Sequence, residues 1–170
     1  FVIVLAFGAA LLVRAYVLQQ FYISGPSMET TLLENNRVLV NKLSYRLHSI
    51  HRGDVVVFDR VTTSDGSVAH DDLIKRVVAI SNDTIEIKDC KVYVNAVLVD
   101  EAYLNKEDVS QKSAVERCRV GQMAKQIIPE NKIFVMGDNR GNSHDSRMWG
   151  ALPVSRIKGK AMVVWMSVDG

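Results

Sequence analysis

Residues 84–94 read TIEIKDCKVYV. Apolar and polar residues alternate on both sides of Asp89-Cys90, and this period of two is typical of half-buried strands. Two residues between such runs are the length of a tight hairpin turn. The stretch therefore predicts a β-hairpin.

Short apolar runs of this kind continue along the chain toward both termini. Residues 100–130 are the most polar and least periodic, so we expect a small insertion around 81–130 in a mainly β domain that covers 21–170. Helix is expected only at the N-terminus, at 41–49 and at 105–117. Further Val- and Ile-rich runs separated by turn residues lie at 37–40, 54–58, 74–80 and 132–136.

The first 20 residues have a different character. The stretch FVIVLAFGAALLV precedes Arg14. A membrane-spanning helix needs about 20 apolar residues, whereas the core of a signal peptide has about 7–15. We expect a transmembrane anchor over residues 1–20, truncated at its N-terminus, with Arg14 reaching toward an interface. A cleaved signal peptide and a buried core helix are the alternatives.

The charge and cysteine content of the chain limit the classes of function that can be expected. The 170 residues include 21 basic and 19 acidic ones, without a basic block. This balance gives no reason to expect nucleic-acid binding, because phosphate binding needs such a block. Cys90 and Cys118 form no CxxC pair, which argues against a zinc or thioredoxin-like site, and a disulfide between them stays open. His48 and His51 lack an evident third ligand, so no metal site is predicted. No dimer-forming heptads are found, and we expect a monomer.

Two residues stand out as candidates for chemistry. Lys75 shares a strand face with Leu73 and Val77, which places an ammonium group on an apolar face. It is either an edge-strand lysine that extends to water or a desolvated lysine with a lowered pKa, suited to act as a base. Ser27, next to Pro26, is either a turn residue or a nucleophile that requires such a base.

The motifs become specific in combination. In order, they are GPSM at 25–28, GDVVVF at 53–58, IKRVVA at 74–79 and GDNRGNSHDSRMWG at 137–150. Together they resemble the type I signal peptidase family over essentially the whole chain. The resemblance implies a complex β-fold catalytic domain with an N-terminal transmembrane helix. It also implies a membrane-bound serine endopeptidase that removes signal peptides from exported preproteins after small residues, in an Ala-x-Ala-like pattern.

The family's functional residues map onto this sequence by motif. Ser27 matches the nucleophile of a Ser/Lys dyad, and Lys75 matches its general base. Ser143 matches the hydroxyl that orients the lysine, while Asp145 and Arg147 match a supporting ion pair. The apolar substrate pocket maps to Ile23, Met28, Leu32 and Ile74.

The resemblance also implies partners and a location. These are preprotein signal peptides and membrane lipid, with a single-pass protein in the cell membrane and its catalytic domain on the extracytoplasmic side. The family's chemistry uses no metal or cofactor.

Two alternatives stay open, and the second of them rests on a departure from the family. The chain has FYISGPSMETTL at 21–32, where FYIPSGSMEPTL is usual. Gly25 stands where some members carry a serine whose hydroxyl supports the oxyanion hole. The alternatives are an organelle inner-membrane-type Ser/Lys peptidase and a non-catalytic, membrane-anchored module that binds signal peptides.

Overall fold

Two β-sheets make up most of the computed structural model, which describes residues 2–3, 6–8, 17–29, 31–104 and 118–164. The predicted mainly β fold is confirmed. The helix expected at 105–117 lies outside the described residues. The strands are β1 Leu18–Tyr22, β2 Arg37–Asn41, β3 Val55–Ser64, β4 Ser67–Ala79, β5 Thr84–Lys88, β6 Lys91–Val94, β7 Val97–Leu98, β8 Met123–Ile127, β9 Lys132–Met136, β10 Leu152–Pro153 and β11 Ile157–Val164.

The short helical segments lie between these strands. They are α1 Ser44–Leu47, α2 Ser146–Trp149 and the 3-10 turns Pro26–Met28, Arg140–Asn142 and Val154–Arg156. Only the middle of the helix expected at 41–49 is helical. Asn41 closes β2, and His48 is already extended, with φ −135° and ψ 155°.

The larger sheet has the order β1-β2-β11-β3-β4-β9-β10, with antiparallel neighbours. One of its apolar clusters contains Met28, Val40 and Val57, and another contains Phe58 and Val135. Val57 and Phe58 are adjacent on β3, so the two clusters lie on opposite faces of the sheet.

The β3–β4 hairpin is the longest ladder, running from Val55 opposite Arg76 to Ser64 opposite Ser67. The partner strands cover only its base. The pairing of β11 with β3 ends at Phe58, and that of β9 with β4 begins at Arg76. The outer part of the hairpin therefore projects beyond the sheet as a two-stranded ribbon.

The smaller sheet has the order β7-β6-β5-β8 and lies in sequence between β4 and β9, which pair with each other. Its first hairpin is the predicted one. Asp89 (φ 48°) and Cys90 (φ 64°) both have the left-handed backbone of a type I′ turn. The open question about the cysteines is also answered, because Cys90 and Cys118 form a disulfide.

The predicted anchor falls largely outside the description, since residues 1, 4–5 and 9–16 are not described. Its last residues, 18–20, belong to β1, which pairs with β2. Of the helical residues that the structure does describe, none forms a stretch long and apolar enough to cross a membrane.

Candidate active site

Ser27 is the middle residue of the 3-10 turn Pro26–Met28. Gly25 enters the turn at φ 90°, a conformation that favours glycine, and Pro26 fits the first position because no N–H is needed there. Met28 is fully buried and fixes the turn in the core. Ser27 itself is only half-buried, so its hydroxyl remains accessible to a substrate.

Lys75 projects from β4 to this serine. Its Nζ lies 2.7 Å from Ser27 Oγ and donates to the Ile74 carbonyl oxygen at 2.9 Å. The residue is 3 % exposed, so the alternative of an edge-strand lysine reaching water is wrong. Burial lowers the pKa of Lys75 to about 8, against the opposing charges of Asp145 and Asp138. A substantial fraction of the amine is therefore neutral near physiological pH.

Asn139 holds the backbone of the Ser27 turn in place. Its N–H donates to the Ser27 carbonyl at 3.1 Å, and its Nδ2 donates to the Pro26 carbonyl at 3.0 Å. A third bond runs from Nδ2 to Glu29 at 3.2 Å. Asn139 was not among the predicted site residues. Its position in the GDNR motif directly after β9 was the available signal.

Gly137 lets two segments of the site come together. A Cβ at this position would overlap both the Ser27 carbonyl oxygen and Ser143 Oγ. Only glycine allows this approach. The loop after β9 therefore packs directly on the turn that carries Ser27.

Asp145 and Arg147 form a buried, bidentate ion pair. Arg147 Nε lies 2.8 Å from Asp145 Oδ1, and its NH2 lies 2.7 Å from Oδ2. Asp145 also caps α2 and accepts from the Gly137 N–H at 2.9 Å. Burial disfavours the ionised carboxylate. The bonds and charge of Arg147 and the Gly137 bond outweigh burial, and the pKa of Asp145 lies below its ordinary value.

Ser143 does not make the contact that the resemblance implies. The residue is fully buried, and no hydrogen bond joins its Oγ to Lys75; the hydroxyl lies close enough to the Asp145 carboxylate to help lower the pKa of that group. The hydroxyl lies against Gly137, while the bonds of Lys75 Nζ go to Ser27 and Ile74. In this structure, the orientation of Lys75 therefore comes from a backbone carbonyl rather than from Ser143.

A second buried ion pair, between Arg76 and Asp138, stabilises the site. Arg76 donates to Asp138 through Nε at 2.9 Å and through NH2 at 2.6 Å, and its NH1 reaches the Gly53 carbonyl at 2.9 Å. Thr31 donates to the same carboxylate. This pair ties β4 to the loop after β9, and the sequence analysis did not identify it.

The predicted pocket residues belong largely to the core. Ile23, Met28 and Leu32 are at most 5 % exposed and share one apolar cluster, because they flank the turn that the cluster anchors. Ile74 packs against this cluster and is half-buried. Ile74 is thus the member of the set with surface available to a substrate.

No group of three or more His, Cys, Asp or Glu side chains within the described ranges is arranged to hold a metal ion. The described groups that meet at Ser27 are instead an amine, a hydroxyl and backbone amides. This arrangement is suited to acyl transfer by an activated serine.

Comparison with known proteins gives concordant matches. The family model "Signal peptidase, peptidase S26" matches residues 1–166. A probable signal peptidase I-2 of Synechocystis is 34% identical over 161 residues, which are 95% of this chain and 67% of that protein. Signal peptidase I of Bacillus licheniformis is 34% identical over 164 residues, covering 96% of this chain and 84% of that protein.

A solved structure shows the same likeness. The crystal structure of a signal peptidase I from Enterococcus faecalis V583 superimposes with a TM-score of 0.50 and 28% sequence identity. The match covers 66% of this chain and 97% of that one.

Proposed function

Because the chain belongs to the signal peptidase family, peptidase S26, and is a serine peptidase of the type I class, we propose that it removes signal peptides from preproteins with Ser27 and Lys75. The observation that carries the proposal is the 2.7 Å contact between Ser27 Oγ and a Lys75 amine with a lowered pKa. A serine hydroxyl needs an adjacent base to become a nucleophile, and a desolvated lysine is such a base.

The reaction follows from this pair. Neutral Lys75 accepts the proton of Ser27 as Oγ attacks the carbonyl carbon of the scissile bond. The N–H of Ser27 lies in the first turn of a helical segment, where amides lack intrahelical acceptors, and it donates to the developing oxyanion. Protonated Lys75 then gives its proton to the leaving amine. Neutral Lys75 then accepts a proton from water as the water oxygen attacks the acyl carbon, and Lys75 returns this proton to Ser27 Oγ when the acid product leaves.

Specificity for small residues before the cut belongs to the same proposal. Ile74 is half-buried beside Lys75, and the cluster of Ile23, Met28 and Leu32 lies behind it. A filled apolar layer directly under the nucleophile leaves room for Ala and Gly and excludes larger side chains. This supports cleavage in an Ala-x-Ala-like pattern.

A membrane location completes the proposal. Residues 1–20 are almost entirely apolar, with Arg14 as their single charge, and Ser27 follows within a few residues. We expect this segment to anchor a monomer in the cell membrane by a single pass, with the catalytic domain on the extracytoplasmic side. Lipid contact would then place Ser27 where signal peptides leave the bilayer.

The test is cleavage of a preprotein with an Ala-x-Ala site by the purified chain in detergent, with the product N-terminus identified by mass spectrometry. We expect one cut after the last small residue, and no cut by Ser27→Ala or Lys75→Met. Lys158→Met, which removes an exposed lysine paired with Asp72, is the matched control and should cleave normally.

Two outcomes would contradict the proposal. Near-normal turnover by Lys75→Met would rule out the lysine base. Binding of the preprotein without a cut by the unaltered chain would favour the non-catalytic alternative, for which the absence of a hydroxyl at Gly25 is the relevant feature.

A further inference from the structure

Arg60 is a half-buried cation without an ion-pair partner among the described residues. It is absent from the described ion pairs, and its recorded contact is with the Trp149 ring, 5.8 Å from the guanidinium carbon to the ring centroid. Asp71 lies directly across the ladder but forms no ion pair with it, and Asp71 is exposed. A partly desolvated guanidinium in this state is suited to receive a carboxylate from another molecule.

The strand register places Arg60 on the same face as Lys75. Val56 lies opposite Lys75, and Arg60 lies opposite Asp71. Cross-strand partners and alternate residues share a face, so Lys75, Asp71 and Arg60 point to one side of the hairpin. Ile74 points to the other side. Four residues separate Lys75 from Asp71, a distance of roughly 13 Å along the strand.

The carboxylates closest to the reacting pair already have partners. Asp145 is paired with Arg147, and Asp138 is paired with Arg76. The positive charge of Arg60 reaches the site. Burial is the largest cause of the lowered pKa of both Lys75 and His144; the charge of Arg60 lowers both further, and at Lys75 it acts against the larger, opposing effect of Asp145. In the described part of the chain, the face beyond Lys75 therefore carries one arginine without an ion-pair partner, next to the exposed Asp71.

The chemistry of the reaction fixes which part of a substrate meets this face. The leaving amine must approach Lys75 Nζ to receive its proton, so the chain after the cut departs on the Lys75 side. With the chain after the cut on the Lys75 side, we place the chain before the cut toward the half-buried Ile74. Four extended residues span roughly 13 Å, the same length as the separation from Lys75 to the strand position of Arg60.

We propose that Arg60 is a specificity-determining residue, whose guanidinium pairs with an acidic side chain within the first four residues after the cleaved bond. The inference rests on the proposed function and names a feature of its substrates. The preferred substrates would carry an aspartate or glutamate shortly after the signal peptide.

The test compares peptide substrates that differ by a single Asp or Asn at each of the first four positions after an Ala-x-Ala site. We expect the unaltered chain to show a higher kcat/KM for the Asp peptide at one of these positions, by about two- to fivefold, the range of a partly exposed ion pair. Arg60→Gln should bring that Asp-to-Asn ratio to one, and Arg60→Lys should keep part of it.

The Asp-to-Asn ratio of kcat/KM is taken within each variant. Any effect of the substitution on the basicity of Lys75 is then the same for both peptides and cancels. Arg60→Glu should reverse the preference and favour Lys over Gln at the same position. Arg156→Gln is the matched control. It removes an arginine that already pairs with Asp59, at 3.6 Å, and the Asp-to-Asn ratio should not change.

The two proposals fail in different ways. If the unaltered chain cuts all peptides with equal efficiency, or if Arg60→Gln and Arg60→Glu retain the preference for Asp, the assignment of Arg60 is wrong and the peptidase activity stands. If no peptide is cut, the proposed function fails, and this inference fails with it.

Discussion

Lys75 is the residue whose environment sets the pH dependence of the proposed reaction. Burial lowers its pKa to about 8, and only the neutral amine accepts a proton from Ser27. We therefore predict that kcat/KM rises with pH through about 8 and levels off above it. A pH–rate profile with a neutral peptide checks this. A flat profile between pH 6 and 10 would exclude Lys75 as the titrating base.

The same shift has a consequence for stability. The folded-state pKa of Lys75 is about 8 and its ordinary value is 10.5, so the unfolded chain binds more protons between these values. Stability from this group is missing below about pH 8 and is recovered as the pH rises toward 10.5.

Lys75→Met should therefore stabilise the chain at pH 7, by up to about 3 kcal/mol, and the gain should shrink at pH 10. Urea denaturation at the two pH values measures it. A gain of equal size at both would show that burial of the charge is not the cause.

Gly137 supports a prediction about the packing of the site. In Gly137→Ala the new methyl group overlaps the Ser27 carbonyl and Ser143 Oγ, so the turn that carries Ser27 must shift. We expect a loss of about 1–3 kcal/mol in stability and about 100-fold in kcat/KM. In Gly121→Ala the new methyl group meets only Cys90 and Cys118 sulfur atoms, at 3.8 Å, and this control should be nearly neutral. Equal activity of the two variants would contradict the close approach.

For individual residues, the order of the motifs in the sequence was enough to predict Ser27 and Lys75 as site residues, because each lies in a short contiguous motif. Asn139 and Arg76 were not nominated. Both lie in quoted motifs, but their partners, Pro26 and Asp138, are 113 and 62 positions away in the sequence, and a motif does not show which distant groups its side chains bond.

Between elements, the pair of Arg76 and Asp138 connects β4 to the loop that follows β9. The Asp138 side chain is 0% exposed and that of Arg76 is 11% exposed. Arg76→Met leaves the carboxylate buried without its cation, which should cost about 3–5 kcal/mol in unfolding free energy.

Chemical denaturation measures this cost, and Lys158→Met is the control. Its pair with Asp72 has side chains 40% and 38% exposed, so its loss should cost under about 1 kcal/mol. Arg76→Met/Asp138→Leu should cost less than the sum of the two single changes. Additive costs would show that the two residues do not act as a pair.

Individual strands were predictable because their signal is local. The alternation at 84–94 gave both strands and the two-residue turn, and the positive φ values of Asp89 and Cys90 explain why the turn is tight. The helix expected at 41–49 was overextended, because Asn41 is held in the ladder with β1 and β11. Pairing with distant strands overrides a local pattern.

For the whole molecule, the order of strands was beyond the reach of sequence patterns. The C-terminal strand β11 inserts between β2 and β3, which are neighbours in sequence, and β4 pairs with β9 across the entire smaller sheet. Alternation tells which residues face a core and carries no information on which strands pair. The general architecture was predicted from the resemblance to a family, just as the site residues were predicted from the order of the motifs.

The disulfide joins the smaller sheet to the site and supports the last prediction. Cys90 lies in the β5–β6 turn, and the Cys118 carbonyl accepts a hydrogen bond from Arg147, the partner of Asp145. Cys90→Ala/Cys118→Ala opens a loop with a sequence separation of 28, so unfolding free energy should fall by about 3–4 kcal/mol. Since Arg147 also loses a fixed acceptor, kcat/KM should fall as well.

Urea denaturation with and without dithiothreitol measures the effect on stability. The reductant should destabilise the unaltered chain to the level of the double variant and leave that variant unchanged. Identical unfolding midpoints for the oxidised and reduced chains would show that the disulfide does not stabilise the fold.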